Sequence, residues 1–194
     1  MNPYKNRKLP VGNLDFRVDG LPDNVPAQLE FGEQDLIYDI PKRLGKDYFP
    51  TFCNLGDCMG GSAILLAKGI MDNDLQGHVY TIDNYADEQA EAARQNYNKF
   101  GVQDLITQVR MTTDEAAEKW KSSTFHFIFI DADHAFKNVY NDIISYKDKV
   151  TEDGLLAFHD TNQDAVDQAI KDSKLEEDWL LIEWVNRIKV FKRK

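Results

Sequence analysis

Two stretches of the chain set ionisable side chains directly after apolar runs. The run Phe125 to Ile130 ends in Asp131, Asp133 and His134, and the run Leu155 to Phe158 ends in His159, Asp160 and Thr161. Runs this rich in β-branched and aromatic residues read as buried central strands of a parallel sheet. In open α/β sheets ligands bind outside the carboxyl ends of the strands, which is where these groups fall. Two acids at neighbouring strand ends can hold a cation together, and an imidazole beside them can move a proton near neutral pH. Asp131, Asp133 and His134 are the candidate groups of the first stretch, and His159 and Asp160 those of the second. Asp133 either orients His134 or faces solvent, and the plainer reading of the first three is that they open a loop.

A third stretch has the form strand, glycine turn, helix. Residues 50 to 56 close in Asn54-Leu55-Gly56, Asp57 to Ser62 contain Gly60 and Gly61, and Ala63, Leu66, Ala67 and Ile70 repeat at helical spacing. Glycine permits tight turns and close approach of a ligand, and a helix start offers unpaired N–H groups. The pattern is neither G-x-G-x-x-G nor a phosphate loop with Gly-Lys-Ser/Thr. About twenty residues on, the run His78 to Asp83 ends in an acid at the place where a ribose diol is bound in nucleotide-cofactor folds. Capping the next helix is the alternative for Asp83.

The elements that must position these groups alternate. A helical stripe at Ala90, Ala93, Tyr97 and Phe100 leads to a strand over Leu105 to Met111. Thr112 to Glu115 has the Thr-x-x-Glu form of a capping box, and Thr112 and Thr113 are placed to wall an adenine. Phe136, Val139, Tyr140 and Ile143 share a helix face. Asp153-Gly154 turns into the strand over 155 to 161, after which Thr161 and Asp164 are candidate caps for a helix carrying Val166, Ala169 and Ile170. Trp179 to Val185 and Ile188 to Phe191 flank Asn186-Arg187 as a β-hairpin. The expected fold is α/β: a Rossmann-like, doubly wound, mostly parallel seven-stranded sheet with an antiparallel C-terminal hairpin strand. Residues 1–32, with Pro10, Gly12, Gly20, Pro22 and Pro26, read as an irregular arm, and 33–194 as one domain. The arm could cover a pocket or serve a homodimer contact. Leu36, Ile37 and Ile40 suggest a short helix that Pro41 ends or kinks.

Composition narrows the partners. With 33 acidic against 23 basic residues and a formal charge of -10, a nucleic-acid backbone is disfavoured. No stretch is apolar enough to span a membrane, and the start lacks a secretory pattern, so the expectation is a cytoplasmic protein. Cys53 and Cys58 are too few for a disulfide framework and read as free thiols. His126 reads as a packed strand residue, His78 as lying at the far end of its strand, and Trp179, Trp184 and Phe191 as core or edge packing.

Taken together, from residue 50 to 192, the order of features resembles the class I methyltransferases that use S-adenosylmethionine. The resemblance implies that Asn54, Gly56, Asp57, Gly60, Gly61, Ser62, Asp83, Thr112, Thr113 and Asp131 line the cofactor. That first motif usually opens with Asp or Glu, whereas Asn54 is uncharged. Ile130 to His134 with Phe158 to Asp160 is similar to the metal-dependent small-molecule and sugar O-methyltransferases of the macrocin and mycinamicin type. The likeness implies metal ligands at Asp131, His159 and Asp160 and a base at His134. Magnesium is the family's ion, and the imidazole of His159 would suit Mn²⁺, Fe²⁺ or Zn²⁺. The expected activity is metal-assisted methyl transfer to a hydroxyl of a small molecule or sugar. The alternatives are a hydroxylase-component-like protein and a non-catalytic cofactor-fold assembly module.

Overall fold

The computed structural model describes residues 28–44, 49–120 and 122–194. Chain order is α1 (Phe31–Leu44), β1 (Thr51–Leu55), α2 (Gly61–Asp72), β2 (His78–Asp83), α3 (Asp87–Lys99), β3 (Ile106–Arg110), α4 (Thr113–Ala117), β4 (Phe125–Ile130), α5 (Phe136–Tyr146), β5 (Val150–Phe158), α6 (Asp164–Asp172), α7 (Leu175–Asp178), β6 (Trp179–Val185) and β7 (Ile188–Arg193). The sheet has seven strands in the order β3-β2-β1-β4-β5-β7-β6. β1 to β5 pair in parallel, while β7 is antiparallel to both β5 and β6. This is the Rossmann-like sheet with the antiparallel closing hairpin. The order reverses between β1 and β4, so the crevice where a ligand binds opens at their carboxyl ends.

Each face of the sheet buries its own layer. On one, Leu36, Ile37 and Ile40 of α1, nearly all of α2, and Ala90, Ala93 and Tyr97 of α3 pack on Phe52, Phe127 and Phe129. On the other, Val139, Ile143 and Tyr146 of α5 and Val166, Ala169 and Ile170 of α6 pack on Leu55, Ile128 and Phe158. β4 therefore has side chains buried on both faces, which is why it carries apolar residues without alternation.

Three expectations are corrected in detail, and a fourth is resolved between its two alternatives. Pro41 does not end α1, which runs three residues past it to Leu44. Its ring is buried against Gly69 of α2, where a Cβ would lie 2.2 Å from the Tyr38 carbonyl oxygen and 3.0 Å from Pro41 Cγ, so packing compensates for the missing N–H. Asp153-Gly154 lies inside β5 at a shift of register with β4 rather than in a turn before it. Thr161 does not cap α6, whose N-cap is Gln163; its amide and hydroxyl both donate to the Arg187 carbonyl, each at 3.0 Å. Trp184 is not packed in the core: it is 61% exposed on the edge strand with the Lys189 ammonium 4.7 Å from its ring, while Trp179 and Phe191 are buried. Of the N-terminal arm, residues 1–27 lie outside the described residues, and Phe31 and Gly32 already belong to α1. No helix among the described residues is long and apolar enough to cross a membrane.

The contact of α1 with α2 is set by Gly69, so Gly69→Ala is expected to lower stability by about 1–3 kcal/mol through overpacking. Urea unfolding measures this, and an unchanged midpoint would contradict the close approach.

Candidate active site

The glycine turn after β1 is held by its own side chains. Asn54 Nδ2 donates to the Gly56 carbonyl at 3.2 Å and lies 3.4 Å from Asp57 Oδ1, while Asn54 Oδ1 accepts from Ser62 Oγ at 3.0 Å. Gly56 has φ +84, and a Cβ there would lie 2.2 Å from the Asp131 carbonyl oxygen, so the turns after β1 and β4 touch backbone to backbone. Gly60, at φ +95, is the N-cap of α2 and sits against the Tyr97 ring. Gly61 is buried in the first turn of that helix. Asp57 is buried and accepts from the hydroxyls of Tyr85, at 2.6 Å, and Tyr97. Burial drives its carboxyl above the ordinary range, and the tyrosine bonds only partly offset that. Asp83 Oδ2 accepts from the amides of Asp57 and Cys58, each at 2.9 Å, tying the end of β2 to the turn.

A cavity of about 290 Å³ opens between the ends of β1, β2, β3 and β4. Gly56, Asp83, Thr112, Thr113 and Asp114 line it, joined by residues that the sequence did not single out for the site: Asn84, Met111, Asn138, Asn141 and Asp142. Asn54, Asp57, Gly60, Gly61, Ser62 and Asp131 are not among the residues that line it. Thr112 and Glu115 form the capping box in full. The α5 residues were legible only as the polar side of an amphipathic helix. Asp142 is buried, with its carboxyl pushed up to about 6 by burial, relieved by a hydrogen bond to Thr113 and aggravated by Asp114 and Asp133.

Next to this cavity the ends of β4 and β5 carry the ionisable cluster. His159 Nδ1 is 2.9 Å from Asp131 Oδ1 and 3.4 Å from Asp160 Oδ2; its Nε2 is 3.2 Å from Glu33 Oε2 of α1. Burial alone would push His159 down, but hydrogen bonds to Asp131 and Glu33 prevail and raise it to about 9. The ring therefore holds its proton at neutral pH, and both nitrogens face carboxylates. Asp131 stays above its ordinary value because burial outweighs the imidazolium beside it. Glu33, fully buried, is pushed up by burial yet brought below its ordinary value by His159, the Glu30 amide and the Arg187 amide. Arg187, in the hairpin turn, spans Asp160 Oδ1 at 2.9 Å and Glu33 Oε2 at 3.2 Å. Glu33 and Arg187 left no sequence signal: they meet the cluster from 126 and 27 residues away.

His134 is 44% exposed, with Nε2 3.0 Å from Asp160 Oδ2. Asp133 is exposed, the plainer of its two expected places, and accepts from the Ala135 amide at 2.6 Å and from Asn138 Nδ2 at 3.0 Å at the start of α5. Asp160 has φ +51, a strained value for a residue with a Cβ. Asp131, His134 and Asp160 each offer one ligand atom, all within 4.8 Å of one another. This trio, rather than one including His159, presents a three-donor face. His126 lies at the other end of β4, with Nδ1 accepting from the Thr51 amide at 3.2 Å, and His78 pairs with Thr107.

A parallel sheet with a reversal at β1/β4, a glycine turn beneath it and acids closing β2 and β4 define a methyltransferase-type cofactor fold. A sequence model of the methyltransferase domain matches residues 53–161, more than half of the chain, and the chain belongs to that family. Among solved structures, the O-methyltransferase NovP superposes with a TM-score of 0.73 at 13% identity, covering 88% of this chain and 83% of that one. An O-methyltransferase from Bacillus cereus in complex with S-adenosylhomocysteine gives 0.67 at 18%, covering 86% and 83%. TomG from Streptomyces achromogenes, in complex with S-adenosylmethionine, gives 0.67 at 16%, covering 87% and 82%. These likenesses establish the fold. No curated protein sequence matches the chain.

Asp142 yields a pH prediction. An acid raised in the folded state favours folding below its unfolded value near 3.8, and that contribution is lost as pH rises through about 6. Between pH 4 and 7, Asp142→Asn should therefore gain on the wild type by about 2–3 kcal/mol, measured by urea unfolding at both pH values. A gap that does not change with pH would contradict it.

Proposed function

We propose that the protein transfers a methyl group from S-adenosylmethionine to a hydroxyl of a small molecule or sugar, with His134 as the base. The observation that carries this is the position of His134: an exposed imidazole held by Asp160, directly after Ala132 and Asp133 of the cavity wall, in a methyltransferase domain. With Nε2–H donated to Asp160, the lone pair of Nδ1 is left for the acceptor. The carboxylate fixes the ring and stabilises the imidazolium that forms.

When bound, S-adenosylmethionine supplies a methyl group made electrophilic by the positive sulfur. Asp83 keeps Oδ1 for a ribose hydroxyl while Oδ2 grips the turn. Thr112, Thr113 and Met111 wall the cavity on the side assigned to the adenine. The uncharged Asn54 serves to brace the turn, and the carboxylate nearest to it is Asp57. Gly56 lets the β1 and β4 turns close, which brings Asp131 beside the methionine end. Holding acceptor and donor in line supplies the larger part of the acceleration, up to about 7–11 kcal/mol. His134 would then take the hydroxyl proton as the new C–O bond forms and the methyl–sulfur bond breaks, the thioether S-adenosylhomocysteine leaving with the electron pair, for roughly 10² to 10⁴ in rate.

The trio Asp131, His134 and Asp160 also fits a divalent cation, because its donors converge and two of them are carboxylates. Such an ion would lower the proton affinity of a hydroxyl oxygen in contact with it. A carboxylate and imidazole donor set suits Mn²⁺, Fe²⁺ or Zn²⁺ as well as Mg²⁺. His134 would then be a ligand, and its base role would be lost, so the two arrangements separate on adding a chelator.

The test is transfer of labelled methyl from S-adenosylmethionine to a panel of sugar and phenolic hydroxyl compounds, with and without chelator. His134→Ala is expected to slow single-turnover transfer at least tenfold, at the weak end of about 10² for a base, and to leave affinity for S-adenosylhomocysteine unchanged by calorimetry. An unchanged rate removes His134 from the chemistry, and absence of cofactor binding in the wild type removes the reading altogether.

A further inference from the structure

Glu33 belongs to α1, a helix that contributes nothing to the cavity wall, yet its carboxylate is fully buried at the ionisable cluster. Four donors converge on it. Oε2 accepts from the Glu30 amide at 2.7 Å, from His159 Nε2 at 3.2 Å and from Arg187 Nη2 at 3.2 Å, and Oε1 accepts from the Arg187 amide at 2.8 Å. A group surrounded only by donors must be a carboxylate: an amide in either orientation would turn its NH₂ toward an N–H. Burying a lone carboxylate costs several kcal/mol, so the arrangement persists because its donors are charged and fixed.

The two side chains that donate to Glu33 are the two that hold Asp131 and Asp160. His159 reaches from Glu33 to Asp131, and Arg187 reaches from Glu33 to Asp160. Neither ring nor guanidinium has freedom to turn, since each is planar and is gripped at both ends. The Phe129 ring lies 6.1 Å from the His159 ring and closes one side. A displacement of Glu33 would therefore move both acids at once.

We propose that Glu33 is a positioning residue for the site, setting the separation and aim of Asp131 and Asp160 through His159 and Arg187, so that α1 and the β6–β7 turn determine the geometry in which the acceptor hydroxyl is held. This rests on reading the cluster as the acceptor site. It gives His159 the part of a bridge between two carboxylate side chains, and it makes α1 part of the frame that positions the site.

The experiment uses the full chain with ¹³C-labelled aspartate and follows the carboxyl signals of Asp131 and Asp160, with those of Asp57 and Asp83 as controls. Glu33→Gln is expected to move the first pair and leave the controls in place, to leave affinity for S-adenosylhomocysteine within about twofold, and to lower transfer to the best acceptor of the hydroxyl panel by about 10- to 100-fold, as for groups that orient a ligand. In a His159→Gln background, Glu33→Gln should produce no further movement at Asp131, because the coupling passes through the ring. Unmoved Asp131 and Asp160 signals, or an equal further shift in the His159→Gln background, would overturn the proposal. Should Glu33→Gln not fold, Arg187→Lys, which keeps the charge and loses the planar fork, must move the Asp160 signal, and an unmoved signal counts against it. Loss of cofactor binding in the wild type would refute the proposed function while the carboxyl signals still report on the clamp.

Discussion

The burial of His159 between Glu33 and Asp131 is the contact on which the site depends. Removing an imidazolium and two carboxylates from water is costly, several kcal/mol for each ion. The cost is offset because the charges alternate in space: Glu33, His159, Asp131, with Arg187 linking Glu33 to Asp160. Three carboxylates and two cations leave one net negative charge in a nearly dry place. That residual charge faces His134, whose Nε2 lies 3.0 Å from Asp160 Oδ2. The same residual charge is what a divalent cation would meet.

The backbone contributes as much as the charges. Gly56 brings the β1 turn against the carbonyl of Asp131, Asp83 at the end of β2 binds two amides of that same turn, and Asp160 sits at a positive φ. Three strand ends are thereby drawn together at the reversal of the sheet. Between them lies a cavity whose wall is shared by residues from β1 to α5. The Asn54 amide, which lacks the charge usual at that place in the motif, is spent within the turn. The nearby buried acid is Asp57, held by two tyrosine hydroxyls.

The layout of the sheet was legible because it is written in local patterns: doubly buried strands such as Phe125 to Ile130, a glycine turn, a capping box and a hairpin. The strand-end acids were legible for the same reason, since an acid after an apolar run is a local feature. What escaped was non-local. Glu33 looks like any surface acid in the first turn of a helix, and Arg187 like any hairpin-turn residue; only the packing of α1 on α2 through Gly69, and of β7 on β5, carries them to His159. The ligand role of His159 was implied by the resemblance alone, and in the structure its ring lies between Glu33 and Asp131. Pro41 misled because the rule for helix interiors concerns an isolated helix, whereas here its ring fills the space that Gly69 leaves.

A crystal structure of the protein with S-adenosylhomocysteine tests the central claim most directly, namely that the cavity and the charged cluster are two halves of one site. The account predicts the adenosine between Asp83 and the Met111 to Asp114 wall, the sulfur directed toward Asp131, and the bridge from Glu33 through His159 to Asp131 intact. Adenosine bound outside that cavity, or a sulfur pointing away from Asp131 and His134, would contradict it.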